Sequence, residues 1–284
     1  MSVKPANHKN RSAAFTTLQA IALVMITGIS FGILMSIVSN AFVIGVDWLF
    51  NTRHYFNFLD FSFFGKQLSP TPLITLLCAV FVILFIRRIF SISRWHGPAD
   101  SIYAAHRTDN ELDVKAGFGS TIAAFVSAGS GASVGQYGPL VHFGATVGSY
   151  IRTLTNGKIS TDVFIGCGVA GAIAAGFNAP IDGTIFACET ILRHFSLRAV
   201  APVAITSITS AGISQIFFGN VNTFSMSGIT PDLMFLLPLA LLTGPLFGVL
   251  SIIYMVTLRK TSEVARDLKW SPLKLLITAA LITG

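Results

Sequence analysis

The sequence predicts an all-α polytopic membrane protein with broken and re-entrant helices, and three observations carry that class. Hydrophobic residues make up 52% of the 284 and charged residues only 11%, against roughly 25% in a usual soluble domain, and the mean hydropathy is +0.71. Uncharged runs recur along the chain, at Ser12–Val46, Gln67–Ile86, Ala116–Ile151, Val163–Ile181, Ala199–Pro231 and Leu233–Leu258, several of them longer than the roughly 20 residues a spanning helix needs. The basic residues behind the net charge of +7 fall in short groups between those runs rather than among stacking aromatics, which argues against a nucleic-acid partner.

Residues 1–14 read as a cytoplasmic tail, because Lys4, Lys9 and Arg11 precede the first run. That run is too long for the apolar core of a signal peptide and is expected to be a permanent anchor. Residues 15–284 form the expected membrane domain. Basic groups recur at Arg87, Arg88 and Arg94 and at Arg259, Lys260, Arg266 and Lys269, while Gly219–Pro231 has none. The positive-inside bias then places those groups and the N-terminus in the cytoplasm, with the chain in the cell (inner) membrane. Cys78, Cys167 and Cys188 lie inside apolar segments and read as small buried hydrophobes, with no disulfide framework and no metal or cofactor site.

Two runs are irregular. Ala116–Ile151 is too long for one span and contains SAGSGASVGQYGPLVHFGATVG, Ser127 to Gly148, which has no acidic residue, Lys or Arg but is rich in glycine and carries a proline. Val163–Ile181 holds Gly166, Gly168, Gly171 and Gly176 ahead of Ala179-Pro180. Both are expected to be broken, so their unpaired backbone groups need protein or a watery pathway around them. The alternative for Gly168, Gly171 and Gly176 is close helix packing. A helix starting near Pro139 directs its first N–H groups and positive dipole end at Gly135, Gln136, Tyr137 and Gly138. That is an anion-binding arrangement made of backbone, and without a cation it holds an ion weakly enough to release it.

The loop GSGASVGQYGP resembles the glycine-rich stretch ending in G-[KR]-E-G-P of the CLC chloride channels and chloride/proton antiporters, and GVAGAIAAGFNAPIDGTIFACE, Gly168 to Glu189, resembles that family's G-x-A-A-G-x-A-A-x-F-N-A-P-x-x-G-x-x-F-x-x-E segment. RWHGPAD, Arg94 to Asp100, stands at about the interval of the family's G-S-G-I-P and keeps only the proline. The resemblance implies chloride or a similar small anion as the transported species, a homodimer in the lipid bilayer, no enzymatic activity, and an inverted double repeat of which this chain is the N-terminal half, incomplete at its C-terminus.

The departures bear on mechanism. The family's gating glutamate corresponds to Tyr137, and a phenol cannot mimic chloride as a carboxylate does or exchange a proton in the neutral range. The inner proton-relay glutamate corresponds to Thr190, next to Glu189, and the serine of G-S-G-I-P to Trp95. Trp95 and His142 are candidate pathway-lining residues. The resemblance thus implies a passive anion channel or transporter. Its alternatives are a proton-coupled antiporter using other residues, and a serine protease in which Ser133 of Gly131-Ala132-Ser133-Val134-Gly135 is activated by His142 or His194. Asp182 reads either as a helix-start cap or as a functional carboxylate, and Glu189 as a partner for Arg193 one turn on.

Overall fold

The computed structural model describes residues 7–52, 61–63, 66–68, 70–107, 112–154, 160–219 and 233–283. Lys4, the stretch 220–232 and Asp232 within it lie outside the described residues. The chain divides into a unit of residues 1–222 with 283–284 and a unit of residues 223–282.

The first unit holds α1 (Asn7–Thr52), a hairpin of β1 (Phe61–Phe63) and β2 (Lys66–Leu68), then α2 (Thr71–Ile89), α3 (Pro98–His106), α4 (Val114–Gly129), α5 (Tyr137–Leu154), α6 (Thr161–Phe177), α7 (Pro180–Phe186) continuing into a wider π turn (Ala187–Leu192), and α8 (Leu197–Phe218). The second unit holds α9 (Leu233–Asp267) and α10 (Pro272–Thr283). Among the described residues, four helices are long and apolar enough to cross a membrane, within Ile21–Thr52, Thr71–Ile89, Leu197–Phe218 and Leu237–Asp267. The all-α class holds, and the protein is a multi-pass membrane protein. The small antiparallel hairpin, paired Phe61 with Leu68 and Phe63 with Lys66, was not expected from the sequence. α1 begins at Asn7, upstream of the expected start of the membrane domain at Phe15.

α6 is the centre of the first unit. It is apolar all round, and every residue from Val163 to Gly176 is buried, as a helix surrounded by others requires. α5, α8 and α1 pack against it. Lipid chains are as apolar as leucine, so apolar burial alone does little to hold membrane helices together; close backbone approach and interhelical hydrogen bonds matter more. Both are present. A methyl group at Gly144 or Gly168 would fall inside contact distance of the other residue's carbonyl oxygen, and one at Gly148 would strike the Phe164 carbonyl. Along α8, Ser210 donates to the Gly171 carbonyl at 2.8 Å and Ser207 to the Pro180 carbonyl at 2.6 Å. Asn40 of α1 donates to Ser214 of α8 at 2.9 Å.

The expected breaks fall at defined points. Ala116–Ile151 is split by residues 130–136 into α4 and α5, with Gly131 at φ 100° and Gly135 at φ 69° supplying turns that side chains resist. In Val163–Ile181 the helix runs unbroken through Gly166, Gly168, Gly171 and Gly176, which favours the packing reading of the last three, and stops only at Asn178. Asn178 takes a left-handed conformation at φ 54°, one that asparagine tolerates well, and Pro180 starts α7 two residues later.

Cys167 and Cys188 are buried, as expected, but Cys78 is exposed on α2. It borders an apolar side cavity of about 400 Å³ formed by α1, α2 and α4. Cys78 opens onto that cavity rather than into a packed seam, which sequence position alone could not reveal.

Candidate functional site

A cavity of about 620 Å³ lies where the starts of α3, α5 and α7 meet the end of α6. Pro98 comes from the first turn of α3, Tyr137 and Gly138 from the first turn of α5, Ile173 and Phe177 from the last turns of α6, and Ala179 and Asp182 from the start of α7. Each α-helix begins with N–H groups that have no intrahelical partner and with the positive end of its dipole. Bringing such ends to one cavity makes a region receptive to negative charge. Among the described residues, no lysine or arginine borders it.

The α5 start is the best defined of the three. Gly135 is exposed, Gln136 is half-buried and its carbonyl accepts from Leu140 N–H at 3.2 Å, and the helix begins at Tyr137. The expected start at Pro139 is therefore two residues late, and Pro139 stands inside the first turn, where its missing N–H costs nothing. The Gln136 Oε1 atom is buried without a hydrogen-bond partner among the described residues. The Tyr137 ring is half-buried and stacks on Phe177, centroids 3.8 Å apart at 25°. Gly176 leaves room for this, since a methyl there would touch the tyrosine ring at 3.3 Å.

At the α3 start, the Asp100 carboxylate accepts the Gly97 N–H at 2.9 Å while the Asp100 N–H donates to the Gly97 carbonyl at 3.0 Å, and Arg94 pairs with the same carboxylate. Burial on its own would raise the Asp100 carboxyl, but the hydrogen bonds from Arg94 and Gly97 outweigh it and hold the group below the ordinary carboxylate range. A carboxyl depressed in the folded state contributes stability above its unfolded value and loses it as pH falls through the folded one. Thermal stability is therefore expected to fall as pH drops below about 4. Asp100→Asn is expected to remove that portion of the acid loss and to lower stability near neutrality, as read by thermal unfolding in detergent.

The sequence-predicted residues do not all meet at the cavity. Tyr137 and Gly138 line it, whereas Trp95 and His142 do not. Trp95 is partly exposed, and His142 is fully buried behind the α5 start, its Nδ1 2.8 Å from Ser101 Oγ. Thr190 is half-buried in the π turn, where Glu189 is exposed. The expected Glu189–Arg193 pair does not form among the described residues, because the π turn disrupts four-residue spacing and Arg193 leaves the helix at φ 55°. Asp182 caps no N–H by side chain at the helix start, where Ala179 holds the cap position, and faces the cavity instead. Ser133 is exposed, and neither histidine proposed as its base is bonded to it among the described residues: His142 bonds to Ser101, and His194 lies 3.7 Å from Asp162. Phe177, Ser101 and His96 were not singled out in the sequence, since nothing in their spacing distinguishes them from packing residues.

Residues 78–284 match the profile of the voltage gated chloride channel family. Among curated proteins, the chain is 32% identical over 148 residues to the chloride channel protein CLC-e of Arabidopsis thaliana, covering 48% of this chain and 20% of that protein. It is 27% identical over 127 residues to the voltage-gated ClC-type chloride channel ClcB of Escherichia coli, covering 45% of this chain and 30% of the relative. The chain thus spans less than a third of the length of these relatives. The glycine-broken helices, the converging helix starts and a family match over more than half of the sequence lead to one conclusion: the chain belongs to the voltage-gated chloride channel (CLC) family.

Proposed function

We propose that the complete protein carries small anions, chloride foremost, passively across the cell membrane, along a pathway that narrows at the Tyr137 cavity. The observation that carries this reading is the convergence of the α3, α5 and α7 starts on a cavity that, among the described residues, no lysine or arginine borders. Helix-start dipoles attract the anion, and the lack of a fixed cation lets it leave. The amides of Gln136, Tyr137 and Gly138 are the proposed contact, and Tyr137 occupies the place of the family's gate. With a phenol at that position and Thr190 at the inner relay position, neither carboxylate that couples protons to anions in the antiporters is present, so transport is uncoupled. The Asp182 carboxylate on the cavity wall opposes anion entry and keeps occupancy low.

The whole protein is proposed to act as a homodimer, as its family does, with its N-terminus in the cytoplasm. Arg87 and Arg88 in the last turn of α2 support that orientation. Not being an enzyme follows from the same reading. Bromide soaked into crystals of the complete protein is expected to give anomalous density in the cavity, against the α5 start. Ordered bromide found only at other places would overturn the assignment of this site.

A further inference from the structure

Behind the cavity wall lies a second polar arrangement. His142 follows the cavity-lining Val141 on α5, and His96 immediately precedes Gly97 and Pro98 at the start of α3. His142 is 1% exposed, and its ring centroid is 6.1 Å from that of His96, the planes tilted by 48°. His142 Nδ1 is bonded to Ser101 Oγ at 2.8 Å, whereas His142 Nε2 and His96 Nδ1 are both buried with no hydrogen-bond partner among the described residues. Two unpaired buried nitrogens on neighbouring rings are costly, and native proteins avoid such pairs by bridging them.

The spacing fits one particular bridge. A hydrogen-bonded water oxygen stands about 4 Å from an imidazole centre, given a bond of about 2.9 Å to the ring nitrogen. Two such distances span the observed separation with an angle at the oxygen close to that of a water using one donor and one acceptor. A divalent metal fits less well, since no group of three or more His, Cys, Asp or Glu is gathered for a metal among the described residues.

We propose that His96 and His142 hold one buried water between them and together bind a single proton, and that this proton draws anions into the Tyr137 cavity. The proton adds to one ring nitrogen and is shared through the water with the other, so burial, which disfavours charge on a lone imidazole, is offset by delocalising it. Burial above all pulls His142 below the ordinary imidazole range, to about 4; Asp100 opposes that pull, and a charge confined to His96 would add to it. Asp100 gives the shared proton a nearby counter-charge.

Among the described residues, the π turn packed on α3 carries Glu189 and ends at Arg193, both exposed, and the elements packed on α5 hold their charged groups away from the pair. α6 faces α5 with Gly168 and Ala172 at Gly144, and its titratable Cys167 and Asp162 belong to turns level with later residues of α5. α4 sets Gly117 against Thr146, with Lys115 in its first turn, and α1, which also touches α5, carries the exposed Asp47. A positive charge on the pair stands directly behind the α5 start and strengthens the field that its dipole already makes there. The regulation rests on the anion-pathway reading above; the proton site does not.

The test uses the complete protein in lipid bilayers, with histidine labelled with nitrogen-15. Magic-angle-spinning NMR is expected to show a water contact at both rings and one proton taken up jointly as pH falls through the range in which histidines titrate, about 8 to 5 or below. His96→Gln is expected to shift the titration of His142. Independent titration of the two rings, or a His142 signal unchanged by His96→Gln, would overturn the proposal. In liposomes, chloride flux is expected to rise severalfold on acidification, and to become flat in pH in His96→Gln and His142→Gln but not in His106→Gln, an exposed control on α3. A pH profile that survives both substitutions and is abolished by Asp182→Asn overturns the regulatory step. If wild-type protein carries no anion at any pH, the pathway reading fails, and the NMR result alone decides the proton site.

Discussion

Tyr137→Ala is expected to raise anion flux through the complete protein severalfold while lowering its thermal stability. Both effects follow from where the ring stands. It borders the cavity together with Gly138, so its removal widens the passage at the α5 start. It also stacks on Phe177, and loss of a half-buried aromatic pair costs about 1–2 kcal/mol. The two consequences separate in Tyr137→Phe, which keeps the stack and removes only the hydroxyl. If the ring acts by bulk, Tyr137→Phe conducts as wild type does; if the hydroxyl coordinates the anion, Tyr137→Phe alters anion selectivity without loss of stability. A Tyr137→Ala protein that is less stable but carries no more chloride than wild type would reduce the residue to a packing role. Liposome flux under an imposed chloride gradient, paired with thermal unfolding of the same preparations, reads both quantities.

Much of this arrangement was legible in the sequence, and what was not has identifiable physical causes. Charge-free runs set the membrane class because lipid excludes charge so strongly that composition alone shows it. The break at residues 130–136 was legible because glycines flanking a proline-marked helix start leave few alternatives. The second break was expected within Val163–Ile181 without a defined point: the glycines lie ahead of Ala179-Pro180, and the chain turns at Asn178, where the left-handed conformation and the following Pro180 end one helix and start another. In a membrane helix glycine more often marks close approach than a break, and the sequence does not say which backbone approaches. The position of His142 depends on the rotation of α5 about its axis, and that of Trp95 on the path of the segment between α2 and α3, neither of which a local pattern fixes. Glu189 and Arg193 stand at helical spacing in sequence, but Glu189 lies in a π turn and Arg193 leaves the helix, and the four-residue spacing does not reveal either.

Gly168→Ala is expected to be among the most damaging single substitutions in the protein, although it adds one methyl group and improves intrinsic helix propensity by about 1 kcal/mol. The added carbon has no place to go. It would lie within contact distance of the Gly144 carbonyl on α5, a backbone atom that cannot rotate away, so the two helices must separate along the whole seam that also includes Gly148 and Phe164. Overpacking in a rigid interior costs about 1–3 kcal/mol, and more where only backbone can yield. The net loss is therefore about 2 kcal/mol, visible as a lower unfolding temperature and reduced yield of folded protein. Function is expected to suffer beyond stability, because α5 carries Tyr137 and α6 carries Phe177, and moving one helix from the other unstacks the pair at the cavity. Gly212→Ala is the matched control: it lies in α8, where a methyl meets nothing within 4 Å. It is expected to leave the unfolding temperature unchanged or raised. Equal tolerance of both substitutions would mean that α5 and α6 do not touch through their backbones, and the contact that holds the cavity together would have to be sought elsewhere.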